Sequence, residues 1–198
     1  LHDLQQRSQL LRTAFIATLV SVITAFAFDM MYGTDIRDID ITLYFYLLIC
    51  GVFLLFAYPL LFVLEKTFGF ISSVTLIEMS NTNSPLLRRM SKEAAGTFNH
   101  SMQVANLAAD VAEKIGAKKL LVRTGALYHD IGKLVNPAFF TENQKGINPH
   151  DKLPPERSAQ IIISHVSEGL KLAEKFHLPK DVRAFIATHH GRSKTKYF

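Results

Sequence analysis

Cysteine is almost missing from this chain: among 198 residues only Cys50 is present. One thiol cannot close an intrachain disulfide, and zinc sites built from cysteine pairs are excluded. Alternating apolar and polar runs of the strand type are missing throughout, so the chain is expected to be all-α. Charge is missing from Ile41 to Leu64. That run exceeds the roughly 20 residues a helix needs to cross a bilayer. Thr13 to Tyr32 is a second candidate span, interrupted only by Asp29. No small-residue cleavage site leads from the first span into a mature domain, and another span follows, so it does not read as a signal peptide.

What is present then sets the orientation. Arg7 and Arg12 precede the first span, and Lys66, Arg88, Arg89 and Lys92 follow the second. The connecting loop carries Asp35, Asp38 and Asp40 against Arg37 alone. Positive residues favour the cytoplasmic side, so both ends of this transmembrane hairpin are expected inside and the loop outside. From Glu65 onward Lys and Arg outnumber Asp and Glu by 19 to 12. A basic balance suits a polyanionic ligand or an anionic membrane surface.

The expected organisation is a hairpin over 1–64, with spans at about 13–32 and 41–64, a juxtamembrane helical linker over 65–90, and a helical domain over 91–198. In the linker Phe70, Ile71, Val74 and Ile77 recur at helical spacing, a stripe that could pair with a second copy of the chain. Asn81 to Pro85 interrupts it. In the domain, Asn99–Ile115 is expected as an amphipathic helix with Val104, Leu107, Ala108, Val111 and Ile115 on its buried face. Helices over Leu120–Asp130, Pro155–Phe176 and from Pro179 to His190 follow. Leu134–Pro154 has no period, and a connection of that length is usually functional.

The chemistry is carried by histidine. His129-Asp130 offers a metal an imidazole and a carboxylate, a donor pair suited to iron, manganese or zinc. His100 stands upstream, and His165 and His189-His190 stand downstream. Six ordered donors of this kind can build most of a two-metal hydrolytic site. His2 lies outside the pattern and His177 reads as a helix-end residue.

The ordered set, together with Phe98-Asn99-His100-Ser101, Tyr128-His129-Asp130-Ile131-Gly132-Lys133, Phe140-Thr141-Glu142-Asn143-Gln144, Asn148-Pro149-His150-Asp151, Ile162-Ile163-Ser164-His165-Val166 and His189-His190-Gly191, resembles the seven-transmembrane HD receptor-like phosphodiesterases. The resemblance implies an HD-type helical bundle in the cytoplasm, hung from the bacterial inner membrane. It implies a metal-dependent enzyme that opens cyclic di-AMP to linear pApA, using two divalent transition-metal ions, iron or manganese. One ion would take His100, His129 and Asp130. The other would take the bridging Asp130 with His165, His189 and His190. Asp130 and Lys133 would be catalytic, and Lys133, Glu142, Asn143, Gln144 and His150 would face the substrate, His150 alternatively bracing the loop. The implied partners are a cyclic dinucleotide, the lipid bilayer and a second copy of the chain, with no nucleic-acid polymer. The family uses one further aspartate for the first ion, and no carboxylate follows Asp181, so the chain reads as a fragment whose HD domain is cut short. Two rivals stay open: an HD hydrolase of a guanosine alarmone or nucleoside triphosphate, and a receptor that binds ligand without turning it over.

Overall fold

A computed structural model of the chain describes residues 2–33 and 39–191. Asp35, Arg37 and Asp38 of the acidic loop lie outside the described residues. The chain divides into two compact units, Leu1–Phe70 and Ile71–Phe198. Among the described residues there is no strand.

The first unit is a pair of helices, α1 (His2–Met31) and α2 (Ile41–Phe68). Asp40 caps α2 by accepting from the Thr42 amide at 2.9 Å. Gly69 closes it in the left-handed conformation, with φ +69°. The two helices touch closely where Gly51 meets Thr18; a side chain at 51 would collide with the threonine. Asp29 is accommodated in its apolar helix because the Tyr44 hydroxyl donates to its carboxylate at 2.7 Å. Phe15, Leu19, Phe53 and Phe62 are exposed. Arg12–Met31 is long and apolar enough to cross a membrane. The second span departs from expectation. It bends by 43° between Ala57 and Pro59, and it reaches span length only if both parts are counted together. Pro59 explains the bend, since its ring displaces the carbonyl four residues back and its nitrogen has no proton to donate.

Among the described residues the second unit packs six helices: α3 (Ser73–Met79), α4 (Pro85–Glu93), α5 (Ala95–Lys114), α6 (Lys119–Tyr128), α7 (Pro155–Lys175) and α8 (Lys180–Thr188). Four short 3-10 turns, Ile131–Val135, Pro137–Phe139, Thr141–Asn143 and Pro149–Lys152, fill the aperiodic stretch between α6 and α7. The core is built from Leu86, Leu87 and Met90 of α4, Ala105 of α5, Leu127 and Tyr128 of α6, Ile131, and Val182 and Ile186 of α8.

Three sequence expectations change in detail. The helix expected to carry the Glu65–Ser80 part of the linker on from the second span is interrupted. Gly69 ends α2, and α3 starts afresh with Ser72 as its cap. From Ile71 the chain already belongs to the second unit, and Leu76, Leu86, Leu87 and Met90 are in its core. The buried face of α5 is also turned from the expected one. Thr97, Ser101, Ala105, Ala109 and Ala112 are buried, whereas Leu107, Val111 and Ile115 are exposed. Small residues on the packed face let α6 approach α5 closely, and bulk there would hold the two apart. Finally, α6 ends at Tyr128, so His129 is its cap and Asp130 opens the next turn.

Hydroxyls fasten α3 to α6. The Thr124 Oγ1 donates to the Leu120 carbonyl at 2.8 Å and lies 2.7 Å from Ser80 Oγ. One turn on, the Tyr128 hydroxyl donates to the Met79 carbonyl at 2.8 Å and meets Ser84 Oγ at 3.2 Å.

Candidate metal centre

Four parts of the second unit converge on Asp130. His100 comes from the second turn of α5, His129 from the cap of α6, His165 from mid-α7, and His189 and His190 from the end of α8. Asp130 is buried, and its Oδ1 has no hydrogen-bond partner. Three imidazole nitrogens point at the carboxylate: His129 Nε2 at 3.2 Å from Oδ2, and His189 Nε2 and His165 Nε2 at 3.4 and 3.6 Å from Oδ1. His190 Nε2 lies 3.0 Å from His165 Nε2. These donors form two groups that share Asp130. One is His100, His129 and Asp130; the other is Asp130, His165, His189 and His190, each with its donor atoms within 4.8 Å of one another.

The ring orientations follow from a repeated local bond. Nδ1 of His129, His165 and His189 each faces the carbonyl three residues back, those of Ala126, Ile162 and Ile186. Donating there places the ring proton on Nδ1, and each Nε2 presents a bare lone pair. Backbone carbonyls used this way are the usual outer partners of metal-ligating histidines. The lone pairs of His165 and His189, 3.3 Å apart at Nε2, repel one another without a cation between them, and His190 Nε2 stands 3.0 Å from the same His165 nitrogen. The orphaned carboxylate oxygen and these converging lone pairs fit divalent metal ions, and nitrogen and oxygen donors without thiolate suit first-row transition metals.

Electrostatics agree. Burial pushes the Asp130 carboxyl up, but the neighbouring His129 and His189 rings and the charge of Lys133 outweigh it and hold the group far below the usual carboxylate range. Burial pushes His165 and His190 down, so both are neutral donors at pH 7. For His129, burial acts to lower the pKa, but the adjacent Asp130 carboxylate outweighs it and the pKa lies above the ordinary value.

Lys133 sits over Asp130 because side chains three apart on a 3-10 turn eclipse one another. Its Nζ donates to Asp130 Oδ2 and to Glu142 Oε1, both at 2.8 Å, and lies 5.1 Å from the centre of the Phe140 ring. Gly132 beneath it is demanded by packing: any Cβ would collide with the His165 carbonyl and the Gly169 amide.

The residues expected to face substrate make internal bonds. Glu142 is bonded to Lys133 and Thr97, Asn143 to Thr97, and Gln144 to Asn148. His150 Nε2 lies 2.9 Å from the Phe139 carbonyl, with the Phe139 ring centre 5.0 Å away. His177 ends α7 at φ +54°. Thr97 was not singled out in the sequence, because its partners stand in a loop more than forty residues later.

A helical bundle that gathers H…HD…H…HH on one carboxylate defines the class: residues 97–197 match the HD domain family, and the chain belongs to it. Residues 1–72 match a second family, the 7TM receptors with intracellular HD hydrolase. The chain is 38% identical over its full length to the cyclic-di-AMP phosphodiesterase PgpH of Listeria monocytogenes. It is equally 38% identical, over 97% of its length, to PgpH of Bacillus subtilis. It spans 28% and 27% of those two proteins. The crystal structure of the L. monocytogenes PgpH HD domain in complex with cyclic di-AMP resembles it with a TM-score of 0.57 and 50% identity, covering 59% of this chain and 55% of that one.

Proposed function

We propose that the chain is the membrane hairpin and HD domain of a cyclic dinucleotide phosphodiesterase that opens cyclic di-AMP to linear pApA. The observation that carries this is the pair of donor groups sharing Asp130, in a fold whose 50% identical relative is a phosphodiesterase domain in complex with cyclic di-AMP. His100, His129 and Asp130 would hold one divalent ion, and Asp130, His165, His189 and His190 the other, both donor sets being compatible with iron or manganese. Two such ions supply Lewis-acid activation of water and neutralise phosphate charge.

The chain's own groups do the rest. The three imidazoles keep their protons on Nδ1, committed to backbone carbonyls, so the Nε2 atoms stay available as ligands. Lys133 has three donors, two already used, and the third serves a non-bridging phosphate oxygen. In the reaction water adds to phosphorus, one P–O3′ bond breaks, and the 3′ oxygen leaves with a proton. Repeated once, it would give mononucleotide; one round gives the linear dinucleotide.

The same reading places the hairpin in the bacterial inner membrane with the HD domain in the cytoplasm. Exposed Val74 and Ile77 on α3 offer the surface for pairing with a second copy. The deciding experiment is a nucleotide panel: cyclic di-AMP, cyclic di-GMP, a guanosine alarmone and a nucleoside triphosphate, each incubated with protein loaded with iron or manganese. pApA from cyclic di-AMP is expected. Turnover of the alarmone or triphosphate instead would transfer the assignment to another HD hydrolase, and binding without turnover would make the chain a receptor.

A further inference from the structure

Helix α5 starts without a cap of its own: Ala94 precedes it and offers no side-chain acceptor. The orphaned amide of Thr97, in the first turn, instead donates to Asn143 Oδ1 at 3.0 Å. The bond is returned, since Asn143 Nδ2 donates to Thr97 Oγ1 at 2.8 Å. Asn143 is therefore a helix cap supplied from another part of the chain, the turn Thr141–Asn143. The backbones are pressed together beside it, because a Cβ on Gly96 would collide with the Glu142 carbonyl.

The same threonine hydroxyl has one proton, and it goes to Glu142 Oε1 at 3.0 Å. That oxygen also receives Lys133 Nζ at 2.8 Å. Lysine carries its charge on a flexible four-carbon stem, and an ammonium with one partner can swing about it. Here two carboxylate oxygens, one from Asp130 and one from Glu142, fix two of its three protons. Thr97 is wholly buried, so the anchor of this chain of bonds is rigid.

We propose that Thr97, Asn143 and Glu142 are positioning residues that hold the Lys133 ammonium in place over Asp130, with the borrowed cap of α5 as their fixed point. This rests on the assignment of Lys133 to the phosphate in the proposed function. The three residues touch no reacting atom in this scheme; they act through the lysine. Because the clasp joins α5 to the loop before α7, it also keeps His100, three residues beyond Thr97, in register with the loop side of the site.

The test uses the full chain in detergent, with Thr97→Val, which keeps the shape, and Glu142→Gln, which keeps fold even if the buried change at 97 does not. Acetic anhydride labelling, read by mass spectrometry at Lys133, reports the lysine independently of turnover. Both variants are expected to raise its labelling rate roughly threefold or more and to lower kcat for cyclic di-AMP roughly tenfold, with bound metal and KM little changed. In a Lys133→Met background the same substitutions should lower kcat no further. Unchanged labelling at Lys133, or an equal loss of kcat with and without the lysine, would overturn the proposal. If wild-type protein leaves cyclic di-AMP intact, the function assigned above falls, and the labelling result alone still decides the clasp.

Discussion

Among the described residues Asp130 is the one that both donor groups share. Asp130→Asn keeps the volume and removes the charge, so both ions should lose affinity, about tenfold or more. Elemental analysis is expected to find about two transition-metal ions per chain in the wild type and far less in the variant, with the far-ultraviolet helical signal retained. Wild-type metal content in the variant would contradict the shared carboxylate. Gly132 carries a different constraint. Gly132→Ala drives a methyl group into the His165 carbonyl, an overpacking that should cost about 1–3 kcal/mol and lower the melting temperature. The six histidine and aspartate donors were legible in the sequence because their chemistry and order survive without coordinates. The bond of Thr97 to Glu142 was not, since nothing local pairs the two residues and the chain must fold before they meet.

At the scale of elements, the fastening of α3 to α6 rests on few bonds. Removing the Tyr128 hydroxyl takes away its bond to the Met79 carbonyl and its contact with Ser84. Tyr128→Phe should weaken the docking by about 1 kcal/mol, the usual net worth of a hydrogen bond. Amide exchange should quicken in Ser73–Met79 and stay unchanged in α8; uniform quickening would mean global destabilisation instead. The helices themselves were readable from period, capping and proline positions, with α7 and α8 starting beside Pro155 and Pro179. The face of α5 was misread because the rule seeks large apolar residues, whereas this helix buries alanines and leaves Leu107 and Ile115 outside. Close helix contact rewards small side chains, and hydrophobic period alone does not reveal it. The turns between α6 and α7 carry no period, and their conformation is set by what they touch.

For the whole molecule, charge asymmetry predicts an outward loop and an inward HD domain. In a Cys50→Ser background, a cysteine replacing Thr34 should react with an impermeant thiol reagent on intact cells, and one replacing Lys145 should not. The opposite pattern would invert the topology. The division at Phe70 and Ile71 makes a second prediction. A fragment beginning at Ile71 should fold, whereas one beginning at Ser91 should not. The shorter piece loses Leu76, Leu86, Leu87 and Met90 from the core. Even truncating one such side chain costs about 2–5 kcal/mol, against a typical total of about 5–15 kcal/mol. Circular dichroism on both fragments would decide, and a folded piece from Ser91 would show that α3 and α4 are dispensable.

The αL glycine that closes α2 has a bearing on how such chains can be recombined. Gly69 and Phe70 mark a seam at which the HD domain could be joined to an unrelated segment without cutting into its core. Any crossover past Ser84 would separate Met79 and Ser84 from the tyrosine that grips them, one position before His129 and Asp130. Fusion by descent or by design therefore has a preferred joint in this chain, and everything after it should travel as a single inherited block.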